Sequence, residues 1–89
     1  MTRVVFDPRA GLLTLRGHAG AGEKGRDLVC AALSALAETA AAQPGARTRR
    51  GEGWCVIEGG REALAVLARG FALLARDYPG NVRYREVGA

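Results

Sequence analysis

Between Asp27 and Pro44 the chain runs through Leu28 to Gln43, a stretch dominated by alanine and leucine, with no proline or glycine to interrupt it. Propensity favours helix throughout this run, Asp27 stands where an N-cap belongs, and Pro44 with Gly45 ends it. One long helix in a chain of 89 residues leaves two short flanks. The fold must be built from what those flanks can pair. From Leu28 to Ala37 the run carries no charge and one hydroxyl, Ser34. An ordinary surface helix shows a polar face throughout, so its first half is expected to be buried on most sides.

The flanks read as strands with one further helix. Thr2 to Phe6 and Leu12 to Arg16 are rich in β-branched and leucine residues, and Asp7, Pro8 and Gly11 separate them, which predicts a hairpin. Arg47 to Arg50 and Gly53 to Glu58 around Gly51 and Glu52 predict a second hairpin. A second helix is expected from Arg61 to Tyr78. Leu64, Leu67, Phe71, Leu74 and Tyr78 form one stripe, and Ala63, Val66, Gly70 and Leu73 form a neighbouring one. That apolar band is wider than one packed face needs, so it predicts a second contact, with the first helix or with another copy of the chain. Pro79 and Gly80 end the helix, and Asn81 to Val87 supplies a last edge strand. The expected fold class is α+β: one domain over residues 1–89, with two main helices packed on a mostly antiparallel sheet of about five strands. A homodimer is favoured, because so short a chain buries a modest share of its surface.

Composition narrows function by exclusion. No apolar run approaches the ~20 residues of a spanning helix, and the start, MTRVVFDPRAG, lacks the apolar core of a secretion signal, so the expectation is a cytoplasmic protein with no membrane partner. Two cysteines, Cys30 and Cys55, are too few for a disulfide scaffold. They are not a C-x-x-C pair, which argues against dithiol redox chemistry. With one histidine they also lack metal-ligand spacing, so no metal and no cofactor is expected. The net charge of +4 comes almost entirely from arginine and fits a weak attraction to nucleic acid or acidic segments.

The residues that carry chemistry cluster around Cys30. The single histidine, His18, lies in a segment where Gly17, Gly20, Gly22 and Gly25 disfavour helix and strand, so a mobile loop is expected there. With Asp27 as N-cap, Cys30 falls in the first helical turn, where unpaired N–H groups and the helix dipole favour an anion and hence a thiolate. A thiolate and a histidine that takes up and returns a proton are the minimal parts of a cysteine protease. Asp27 caps the helix through residue 29 or 30, or holds His18 as a third member. Ser34, four residues past Cys30, either bonds to the thiol and shapes its pocket or back-bonds to the Cys30 carbonyl. Each residue also has a plainer reading: a small buried thiol, a solvated histidine, a cap and nothing more. Cys55, in an alternating strand, reads as structural.

The segment GHAGAGEKGRDLVCAALSAL, Gly17 to Leu36, resembles the signature of the ribosomal-processing cysteine protease family, Prp: Gly-His, a glycine-bearing loop, then Asp-[Ile/Leu]-Val-Cys-Ala-Ala-x-Ser-Ala-Leu. ARGFALLARDYPGNVRY resembles the closing part of the same family. The resemblance implies a cytoplasmic homodimeric α+β protease. Its expected substrate is the extended N-terminus of a bacterial large-subunit ribosomal protein, number twenty-seven of the L series, whose trimming supports ribosome assembly. It also implies Cys30 as nucleophile and His18 as base, supporting roles for Gly17, Asp27 and Ser34, and a lid over substrate containing Gly20, Gly22 and Gly25. The alternative is a non-catalytic, ribosome-associated RNA-binding module using Arg47, Arg49, Arg50 and Trp54, and a weak ribosomal RNA contact is compatible with either.

Overall fold

The computed structural model describes residues 1–18 and 27–88. Strand β1 (Thr2–Asp7) turns into β2 (Leu12–Gly17), helix α1 (Leu28–Ala41) follows, then β3 (Arg47–Gly51), β4 (Trp54–Glu58), helix α2 (Arg61–Asp77) and β5 (Val82–Glu86). The five strands form one sheet in the order β3-β4-β2-β1-β5. Every neighbouring pair is antiparallel except β1 and β5, which run parallel with Thr2 beside Val82.

The first turn is held by Asp7, whose Oδ1 accepts the N–H groups of Arg9 and Ala10 at 3.1 Å each. Gly11 follows with φ +65°. A Cβ there would stand 2.6 Å from the carbonyl oxygen of Gly59, whose N–H donates to the Gly11 carbonyl, so this crossing of two turns requires glycine. After α2 the Tyr78 carbonyl accepts the N–H groups of Asn81 and Val82, which turns the chain into β5.

Alternation along the strands sends Val4, Phe6, Leu13, Leu15, Ile57 and Val82 to one face, where they are buried. Both helices cover that face. α1 contributes Val29, Leu33 and Ala40 to the core, and α2 contributes Leu64, Ala68 and Phe71. The spacing within each helix is the three-and-four pattern of one packed stripe. Where the helices meet, a Cβ on Gly70 would lie 2.9 Å from Leu36 Cδ2, so the glycine lets the leucine seat against the backbone of α2. No helix among the described residues is long and apolar enough to cross a membrane.

The α+β class, the two helices and the five-stranded sheet agree with expectation, and several details differ. The first half of α1 is not buried on most sides: Leu28 is 81% exposed, and Ala31, Ser34 and Ala35 are exposed as well. Alanine is small and uncharged, and a run of it without polar residues satisfies a solvent face as readily as a core. Gly17 closes β2 rather than opening the loop, paired with Thr2. Tyr78 lies just past α2. The wide band on α2 divides: Gly70 meets α1, whereas Val66 and Leu73 remain exposed.

Candidate active site

His18 sits immediately past β2, and its backbone is fixed from two sides. The Gly17 N–H donates to the Gly53 carbonyl at 2.7 Å, and the Met1 amino group donates to the His18 carbonyl. Gly17 has φ +92°, and any Cβ there would run into the Met1 carbonyl oxygen, so only glycine permits the approach that places His18. Gly53, in the turn between β3 and β4 with φ +75°, lies beside the imidazole: a Cβ added there would be 3.6 Å from His18 Nε2.

Cys30 is positioned by the start of α1. Asp27 is the N-cap in extended conformation; its Oδ1 accepts the Cys30 N–H at 2.9 Å, and its carbonyl accepts the N–H of Ala31. Of the two cap partners expected for Asp27, residue 30 is the one bonded, so the aspartate fixes the backbone of the cysteine itself. The thiol is half-buried against the core.

Gly17, His18, Cys30 and Ser34 all line one open cavity of about 250 Å³. Leu15, Leu33 and Ala37 form its apolar part, and Gly51, Gly53 and Trp54 bring the second hairpin to its rim. Asp27 is not part of this lining; it acts on the cavity through the Cys30 backbone. Gly20, Gly22 and Gly25, the expected lid, lie outside the described residues.

Four further residues line the cavity that the sequence did not single out for it: Thr2, Glu38, Arg50 and Cys55. Arg50 Nη1 donates to Glu38 Oε1 at 2.7 Å, an exposed ion pair that ties β3 to α1. Glu38 holds the guanidinium firmly in its charged form. Burial pushes the Cys55 thiol up from its ordinary range, with Arg50 opposing the effect. A signal for Glu38 existed in the sequence, since Cys30, Ser34 and Glu38 recur every four residues on one helical face. For Arg50 and Cys55 the signal needs the strand pairing, which sets them opposite each other on the helix-covered side. The hairpin arginines are divided by the same alternation: Arg50 turns toward α1, and Arg47 and Arg49 turn away from it.

Comparison with known proteins supplies an independent line of evidence. Residues 1–47 match the family model described as cysteine protease Prp, a span that contains Gly17, His18, Asp27, Cys30 and Ser34. The crystal structure of an essential ribosomal processing protease Prp from S. aureus, in complex with a covalently linked product peptide, superposes with a TM-score of 0.83 at 20% identity, covering 97% of this chain and 99% of that one. The S. aureus protease with a substrate peptide gives 0.76 at 19% identity over the same shares of the two chains. A protein of Streptococcus mutans gives 0.67 at 22% identity, covering 96% of this chain and 90% of that one. At these identities the superpositions establish a shared fold. No curated protein sequence is significantly similar to this chain. The sequence match spans more than half of the chain and runs through the helix start that carries the half-buried thiol; the chain belongs to the Prp family of cysteine proteases.

Proposed function

We propose that this protein is a cysteine endopeptidase that removes a short N-terminal extension from a bacterial large-subunit ribosomal protein, number twenty-seven of the L series, with Cys30 as nucleophile and His18 as general base. The observation that carries the reading is the joint presence of His18 and Cys30 on one cavity, in a chain whose matched family is a cysteine protease. The S. aureus relative, a ribosomal processing protease seen with substrate and product peptides, supports the substrate class.

In this mechanism the imidazole of His18 takes the proton from Cys30 Sγ, and the thiolate attacks the scissile carbonyl carbon. The oxyanion so formed is stabilised by backbone N–H groups at the start of α1 or in the adjoining glycine segment. Collapse breaks the C–N bond as His18 returns its proton to the leaving amine. Water, deprotonated by the same imidazole, then releases the acyl group and restores the thiol. Asp27 contributes by fixing the backbone of Cys30, Gly17 by admitting the turn that presents His18, and Ser34 by forming the wall beside the thiol. The substrate lies extended along a sheet edge, with its side chains in the apolar part of the cavity. Val66 and Leu73, exposed on α2, support a homodimer. A ribosomal substrate places the enzyme in the cytoplasm.

The test is incubation of wild-type protein and a Cys30→Ala variant with the extended ribosomal protein of the same organism, read by mass spectrometry. Cleavage by wild type alone establishes the activity and the nucleophile. If folded wild type leaves the extension in place, the substrate assignment fails; cleavage that survives in the variant removes Cys30 from its role.

A further inference from the structure

We propose that the face of the sheet turned away from the helices binds single-stranded RNA through its phosphates. Cross-strand register sets Trp54, Arg16, Arg3 and Arg83 in one row across four adjacent strands. The next row on the same face holds Arg49, Val56, Thr14, Val5 and Arg85, and the one beyond holds Arg47, Glu58, Leu12 and Asp7. The intervening positions are those buried beneath the helices, so these rows face solvent. All six arginines, at 3, 16, 47, 49, 83 and 85, are exposed. None forms an ion pair with a described residue; the two ion pairs there are Arg50 with Glu38 and Arg76 with Asp77.

The carboxylates on this face are Glu58 and Asp7, and Asp7 Oδ1 already accepts two turn N–H groups. A shallow depression of about 440 Å³ runs between Arg3, Arg83 and Arg85, and a second of about 280 Å³ lies between Arg47, Arg49 and Glu58. Arg16, Arg3 and Arg83 stand on neighbouring strands roughly 5 Å apart, and like charges directly opposite one another destabilise a sheet. A polyanion laid across the row removes that repulsion and replaces it with charge-assisted hydrogen bonds.

The rest of the surface selects among polyanions. Trp54 ends the arginine row, 37% exposed, and offers a base a surface on which to stack. Val5 gives the first depression an apolar floor, and Val56 and Leu12 do the same for the second. An acidic peptide supplies charge but no base for the indole, and a second copy of the chain brings like charge. Glu58, paired across the sheet with Arg47, accepts a hydrogen bond from a ribose 2′-hydroxyl, which DNA lacks.

The experiment is fluorescence anisotropy of a labelled oligouridine of about 12 nucleotides titrated with the full chain across a range of salt concentrations. Binding should weaken steeply with salt. The Arg3→Ala/Arg83→Ala variant should lose roughly tenfold in affinity at low salt and reduce the slope of log K against log salt by about 1.4. An Arg61→Ala/Arg69→Ala variant changes charge equally on exposed positions of α2 and should stay within about twofold of wild type. Trp54→Ala should weaken binding with the salt slope unchanged. Equal loss in the α2 variant, a salt slope near zero, equal affinity for oligodeoxythymidine, or displacement by polyglutamate as readily as by RNA would each overturn the proposal. As a second readout, added salt should raise the melting temperature of wild type more than that of Arg3→Ala/Arg83→Ala, since the row's repulsion is what salt screens.

Discussion

Single atoms decide much of what happens around the cavity. Gly17 is the sharpest case: its positive φ and the Met1 carbonyl against it leave no room for a Cβ, and His18 follows directly. Gly17→Ala should destabilise the protein by about 2 kcal/mol or more, measured by urea unfolding, and should lower peptidase activity beyond what the unfolded fraction explains. Cys55 offers a second test. Burial disfavours its thiolate and Arg50 favours it, so in a Cys30→Ala background iodoacetamide should modify Cys55 slowly near neutral pH and faster as pH rises. Adding Arg50→Ala should slow that labelling further; faster labelling would show that the ion pair shields the thiol instead. Tyr84 gives a pH prediction of its own. Its hydroxyl donates to Glu86 Oε1 at 3.3 Å, and burial, then the neighbouring carboxylate, push it up to about 12 from an ordinary value of 10. The folded state therefore holds the phenolic proton more tightly than the unfolded state does. The resulting stabilisation is complete below about pH 10 and is lost as pH climbs through 12, so the urea midpoint of wild type should fall across that window more than that of Tyr84→Phe. Among the site residues, Cys30, His18, Ser34 and Gly17 could be read from the order of residues because each belongs to a short contiguous segment with cap and spacing signals. Arg50 and Cys55 could not, because strand register alone decides which face each one joins.

At the level of elements, the start of α1 is where fold and chemistry share one hydrogen bond. Asp27→Ala removes the acceptor of the Cys30 N–H and should cost about 1 kcal/mol of stability. If the cap also holds the cysteine in place, kcat should fall with KM nearly unchanged; Asp27→Asn, which can still cap, should recover most of the stability. The start of α1 and the ends of both helices were legible to within two residues because Asp27, Pro44 with Gly45, and Pro79 with Gly80 mark them chemically; α1 stops at Ala41, short of the expected Gln43. The burial of α1 was not. Absence of polar residues says what a helix tolerates, whereas the surface it meets is set by how many neighbours the rest of the chain can supply. With one sheet beneath it and one helix beside it, α1 has no third neighbour within the described chain, and Leu28 stays in solvent.

For the molecule as a whole, one apolar layer between sheet and helices holds every element except β3, whose RTRRG residues stay outside it. Phe71 is fully buried where α2 enters that layer, and Phe71→Ala should cost roughly 3 to 5 kcal/mol by denaturant unfolding, a large share of the total stability of so small a protein. The sheet's composition could be anticipated from the alternating runs, but its strand order could not: hairpins declare themselves through turns, while the partner of a strand far away in sequence does not. That partner is β5, which takes its place beside β1 and runs parallel to it. During synthesis the TRVVF edge of β1 therefore emerges long before the strand that covers it. At roughly 5 to 20 residues per second, Thr2 waits about 4 to 16 s for Val82, and over that interval an apolar strand edge is open to any other nascent chain nearby. The time the ribosome takes to reach the last strand is thus a window in which this protein is most exposed to aggregation.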